Sequence, residues 1–95
     1  MEHLKKLKIG AHTFKVEYAS GDHFEDCGKT DLEKQVIYIN KNFHGTELTE
    51  TLLHEALHVI NNDLSHTDIQ FIAHTMTQLI SDNPLLVNQN NMTGS

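Results

Sequence analysis

The sequence predicts an α+β fold in which a small antiparallel or mixed three-stranded sheet is followed by two packed helices. Apolar and polar residues alternate in the segments before Asn40, which is the pattern of half-buried strands. After Gly45 the apolar residues instead recur every three or four positions, as they do along one face of a helix. Strands that precede helices, rather than alternating with them, indicate the α+β class.

Length, charge and cysteine content restrict the class of protein further. The chain has 95 residues, a net charge of −6 and a single cysteine, Cys27. We expect one domain over residues 1–84 and a polar, flexible tail over residues 85–95. The acidic balance argues against a nucleic-acid partner, and the lack of a long apolar run argues against a membrane partner. With no signal peptide evident near Met1 and no disulfide framework, we expect a cytoplasmic protein; its oligomeric state stays open.

The strands are predicted from alternation and from turn residues. Residues 4–9 and 14–18 form a hairpin around Gly10, and a short strand surrounds Cys27 within residues 24–30. Residues 31–34 form a turn. The apolar run at residues 36–39 predicts a strand that is buried on both faces.

Two helices follow. The first is expected to be capped by Thr46 and to run to about residue 63. The second is expected to begin at the cap Ser65, with Asp68 completing a capping box, and to stop before Pro84. Its predicted buried stripe comprises Ile69, Ile72, Ala73, Met76, Leu79 and Ile80.

The first helix carries the strongest chemical signal, the sequence HEALH at residues 54–58. Residues four apart lie on one helix face, so His54 and His58 can bind a single Zn²⁺ ion. Glu55, about 100° around the helix from His54, would lie beside the metal as a general base for a metal-activated water. On a helical wheel, Leu53 and Ile60 lie opposite these residues, so we expect the motif to face away from the main core contact.

A catalytic zinc usually has three protein ligands, and the third ligand is less clearly specified. We expect His66, which begins the second helix, to supply it, with Asp68 as the alternative. Asp63 remains a further candidate, and we expect His74 to lie on a solvated outer face. Tyr38 and His44 are candidate oxyanion donors, and residues 36–39 are a candidate sheet edge for an extended substrate.

Residues 51–60, TLLHEALHVI, resemble the active-site helix of small zincin-type metallopeptidases of phages and prophages, relatives of the ImmA/IrrE-like minizincins. Softer similarity extends over about residues 5–84, through CGKT at 27–30 and QVIYI at 35–39 to the second helix. The resemblance implies a zincin-like fold, one bound zinc ion and hydrolysis of a protein or peptide substrate. Some relatives cleave repressor-type regulators, so by analogy the substrate would be such a regulator. The resemblance also implies His54 and His58 as ligands and Glu55 as the base.

The chain departs from this family in one respect. Many relatives supply a glutamate from the second helix as the third ligand, whereas no glutamate follows Glu55 here. That departure assigns the position to His66 or Asp68. Two other functional classes stay open, namely a non-catalytic zinc-binding regulatory or interaction module and a metal-free phage accessory protein.

Overall fold

The computed structural model describes residues 3–20 and 28–88. A mixed four-stranded sheet is followed by two packed helices, which confirms the α+β class; the sheet has four strands rather than three because all four predicted strand segments join it. The strands are β1 (Lys6–Ile9), β2 (His12–Ala19), β3 (Gly28–Asp31) and β4 (Val36–Asn40), and the helices are α1 (Gly45–Ile60) and α2 (His66–Asp82). Within the described ranges, no helix is long and apolar enough to cross a membrane.

The strands are arranged in the order β1-β2-β4-β3. β1 and β2 form the predicted hairpin, whose two-residue loop begins at Gly10 with a φ of 60° that glycine adopts readily. β2 and β4 are parallel, whereas β3 and β4 are antiparallel. The predicted strand around Cys27 is described only from Gly28 onward, and Cys27 itself lies outside the described residues.

The core lies between one face of the sheet and α1. Its buried strand residues are Phe14, Val16, Ile37 and Ile39. Leu48, Leu52 and Val59 of α1 pack against them. On the other face of β4, Val36 is buried but Tyr38 is only half-buried, so burial of this strand on both faces is confirmed in part.

The ends of α1 differ from those predicted. The helix begins at Gly45 with His44 as the N-cap, so the assignment of the cap to Thr46 is wrong. The His44 carbonyl accepts a bond from the Leu48 amide, so a backbone contact starts the helix without a side-chain cap. The helix ends at Ile60, because the Asn61 side chain accepts a bond from the Asp63 amide and forms a turn there.

The face of α1 that packs on the sheet also differs from the one predicted. Thr51 and Glu55 are its two buried residues among those described, while Ile60 is 66% exposed. The helix therefore turns residues 48, 52, 55 and 59 toward the sheet, and the expectation that the motif faces away from the core is wrong. One motif residue, Glu55, lies in the helix–sheet interface, and the two histidines lie beside that interface.

The second helix starts and stops as predicted. The Ser65 hydroxyl accepts a bond from the Asp68 amide, and the helix ends at Asp82, two residues before Pro84. Ile69 and Ala73 are fully buried as expected, whereas Met76 and Leu79 are exposed. Thr77 takes the next position on the buried face, where its hydroxyl donates to the Ala73 carbonyl at 2.7 Å.

Candidate metal centre

An open cleft of about 410 Å³ lies between β3, α1 and the start of α2. The three predicted histidine ligands, His54, His58 and His66, line it together with Glu55. β3 contributes Thr30 and α2 contributes Gln70. The cleft therefore lies where the strand edge, the motif helix and the second helix meet.

Three histidine side chains converge in this cleft. His54, His58 and His66 each offer one ring nitrogen, and these atoms all lie within 4.8 Å of one another. His54 and His58 come from successive turns of α1 and are half-buried, while His66 is the exposed first residue of α2. The short turn between the helices thus allows α2 to bring the third imidazole to the other two.

The spacing of the two α1 histidines, which is also a hydrogen-bonding distance, matches that of two ligands of a tetrahedral metal ion. The Nε2 atoms of His54 and His58 are 3.2 Å apart. Ligands at the usual Zn–N distance of about 2.0–2.1 Å in tetrahedral geometry lie about 3.3 Å from each other. The His66 ring centroid is 4.9 Å from that of His54 and 6.2 Å from that of His58. This three-histidine group could therefore hold a metal ion.

Glu55 is fixed in the wall of the same cleft. Its side chain is 6% exposed, and its Oε1 accepts a hydrogen bond of 2.6 Å from the Thr30 hydroxyl. A buried carboxylate needs such a partner, because burial removes the water that would otherwise solvate it. The bond also links α1 to β3 across the helix–sheet interface.

The close approach of β3 to α1 depends on Gly28. A Cβ atom at this position would lie 3.1 Å from Thr51 Cγ2 and 3.1 Å from the Tyr38 carbonyl oxygen. Such contacts are tighter than ordinary van der Waals separations, so a side chain here would push β3 away from the helix. The absence of a side chain at Gly28 therefore keeps Thr30 within reach of Glu55.

The remaining candidate ligands lie elsewhere. Among the described residues, Asp68 does not lie close enough to the three histidines to join their group. It is exposed, and its amide donates a hydrogen bond to the Ser65 hydroxyl. Asp63 is exposed in the turn after α1 and is also outside the group. His74 was expected to be merely solvated. It is exposed, but its Nδ1 lies 3.0 Å from Glu50 Oε1 and forms a link between α2 and α1.

Two further expectations about the site are not supported by the fold. The residues that line the cleft in the described part of the chain do not include Tyr38 or His44. The strand at residues 36–39 is β4, which has strands on both sides and offers no free edge. The outer strands are β1 and β3, and β3 borders the cleft.

Sequence reasoning missed Thr30 and the pairing of Glu50 with His74. Thr30 belongs to a four-residue strand without clear alternation, and its partner lies 25 positions away in sequence. The available signal was the position of Thr30 in the CGKT segment that resembles the strand before the motif helix. That segment predicted a strand, but no contact with the helix.

No protein-family model, curated protein or solved structure matches the chain. The findings on function are therefore a small α+β fold and a three-histidine group that could hold a metal ion.

Proposed function

We propose that the protein is a zinc-dependent metallopeptidase of the small zincin type. The observation that carries the proposal is the convergence of His54, His58 and His66 in a cleft whose wall also contains Glu55. Three protein ligands leave one position of a tetrahedral metal for water, as in catalytic rather than structural zinc sites. A buried acid in the same cleft supports a role in general base catalysis.

The protein residues have defined parts in this reaction. Zinc, when bound, would acidify a water molecule and polarise the scissile carbonyl. The Glu55 carboxylate accepts a proton from the water, whose oxygen then adds to the peptide carbonyl carbon. Glu55 returns the proton to the amide nitrogen as the C–N bond breaks, and the products are a free carboxylate and a free amine.

The substrate that suits this cleft is an extended peptide segment. Among the described residues β3 is an outer strand that borders the histidines, so a substrate strand can add to its outer edge and cross the metal site. The resemblance of residues 51–60 to phage and prophage metallopeptidases supports this class. By analogy it suggests a regulatory protein as substrate and a cytoplasmic setting, with His66 replacing the glutamate that many relatives use.

Replacing Glu55 with glutamine tests the proposal. Zinc-loaded wild type should cleave members of a diverse peptide library, with products identified by mass spectrometry. Glu55→Gln should bind zinc in the same ratio but lose at least about a hundredfold in cleavage rate, because an amide cannot accept the proton. Glu47→Gln, a matched change in the exposed first turn of α1, should retain wild-type activity. Undiminished cleavage by Glu55→Gln would refute the assigned base.

A non-catalytic zinc-binding module is the second candidate, and the thin core favours it. Seven hydrophobic side chains are buried among the residues described, and small domains often need a metal to reach adequate stability. A metal held by His58 and His66 would join α1 to α2. This candidate predicts stoichiometric zinc and a wild-type protein that cleaves no peptide in the library.

A further inference from the structure

We propose that Thr30 is a positioning residue, which holds the Glu55 carboxylate in the orientation needed for proton transfer. This inference rests on the proposed peptidase function. It concerns a residue on a different element from the motif, and the HExxH pattern (HEALH, residues 54–58) does not specify it. The geometry that carries it is the 2.6 Å hydrogen bond from Thr30 Oγ1 to Glu55 Oε1.

The bond restricts a side chain that would otherwise be mobile. A glutamate has three side-chain torsions, and its terminal torsion is broadly distributed. A hydroxyl that donates to an ionised carboxylate forms a short, strong bond and fixes the plane of that carboxylate. Only one of the two carboxylate oxygens accepts the bond, so the other remains to receive a proton from water.

The donor itself is rigidly held. Thr30 pairs with Ile37 in the antiparallel β3–β4 ladder, and Ile37 is fully buried. A threonine has a branched Cβ, which restricts its χ1 torsion. The close contact at Gly28 fixes the distance of the strand from α1. The hydroxyl thus reaches Glu55 from the sheet, independently of the histidines on the helices.

Two substitutions at Thr30 separate the hydroxyl from the shape of the side chain. Thr30→Val keeps the branched shape and the strand preference but removes the donor. Thr30→Ser keeps the donor. Thr77→Val is the matched control, since Thr77 is another threonine with a hydrogen-bonded hydroxyl but bonds to the Ala73 carbonyl within α2.

The kinetic experiment uses the zinc-loaded full chain and the library peptide that wild type cleaves fastest. Thr30→Val should lower kcat by about ten- to a hundredfold with little change in KM, because misplacement of a catalytic group affects the chemical step. Thr30→Ser should retain most of the wild-type kcat, and Thr77→Val should leave kcat unchanged. All variants should bind one zinc per chain. Wild-type kcat in a folded, zinc-loaded Thr30→Val protein would overturn the proposal.

A second measurement does not depend on activity. NMR relaxation of the Glu55 side chain should show restricted motion in wild type and in Thr30→Ser, and increased motion in Thr30→Val. Unchanged Glu55 dynamics in Thr30→Val would overturn the positioning role. A wild type that cleaves no peptide would instead refute the proposed function, and the NMR comparison would then show whether Thr30 still orders Glu55.

Discussion

The Nε2 atoms of His54 and His58 lie 3.2 Å apart, the separation expected for two ligands of one tetrahedral metal ion. Both residues lie on one helix, so the pair alone requires only helical geometry. The third imidazole, His66, comes from the first turn of the next helix. The candidate site therefore depends on the packing of α2 against α1 as well as on the motif.

The identity of the third ligand leads to the first prediction. His66→Ala should lower zinc affinity by at least about a hundredfold, since changes to residues that only support ligands already cause ten- to hundredfold losses. Asp68→Asn should leave the affinity near the wild-type value, because Asp68 lies outside the histidine group. Competition titration with a chromophoric chelator measures both. A large loss of zinc affinity in Asp68→Asn and little loss in His66→Ala would instead identify Asp68 as the third ligand.

Zinc should also stabilise the fold, since it would join two helices over a small core. At a zinc concentration about 100 times Kd, the melting midpoint should rise by about 10–20 °C above that of the metal-free protein. Circular dichroism melts with zinc and with excess chelator provide the comparison. The His54→Ala/His58→Ala double variant should melt at the same temperature in both conditions, and a similar zinc-dependent shift in that variant would place the ion elsewhere.

A third prediction concerns the contact between β3 and α1. Gly28→Ala should destabilise the protein by about 1–3 kcal/mol, because the new methyl group would overpack the contact with Thr51 and the Tyr38 carbonyl. In a Thr51→Ser background, which lacks the Cγ2 methyl, the loss should be smaller. Denaturant unfolding of the four proteins gives the coupling energy. Strictly additive effects would show that Thr51 does not restrict this position.

Local sequence signals predicted most of the fold. The hairpin around Gly10, the Ser65 cap and the stop before Pro84 all depend on residues close in sequence, and all three are confirmed. Apart from the two ends of α1, the errors concern tertiary choices. Periodicity shows that a helix has an apolar stripe, but the sheet determines which face is covered, and here that face includes Glu55.

The sequence likewise predicted the part of the site that depends on local spacing, but not its long-range contacts. The spacing of the HExxH pattern places His54 and His58 together without reference to the rest of the chain. His66 could be proposed because it lies in the first turn of the second helix, beside the apolar stripe expected to pack on the first, but its position relative to α1 depends on how α2 packs. The contacts of Thr30 with Glu55 and of Glu50 with His74 join residues 24 or more positions apart. A single sequence carries no signal for such pairs.

The metal content of purified, untagged protein, measured by mass spectrometry, shows whether the three histidines form a metal site. Wild type, His54→Ala and His66→Ala should be compared after incubation with zinc and removal of the unbound ion. We predict one zinc per chain in wild type and loss of that zinc in both variants. Wild-type protein that takes up no zinc, or variants that retain a full equivalent, would contradict this prediction.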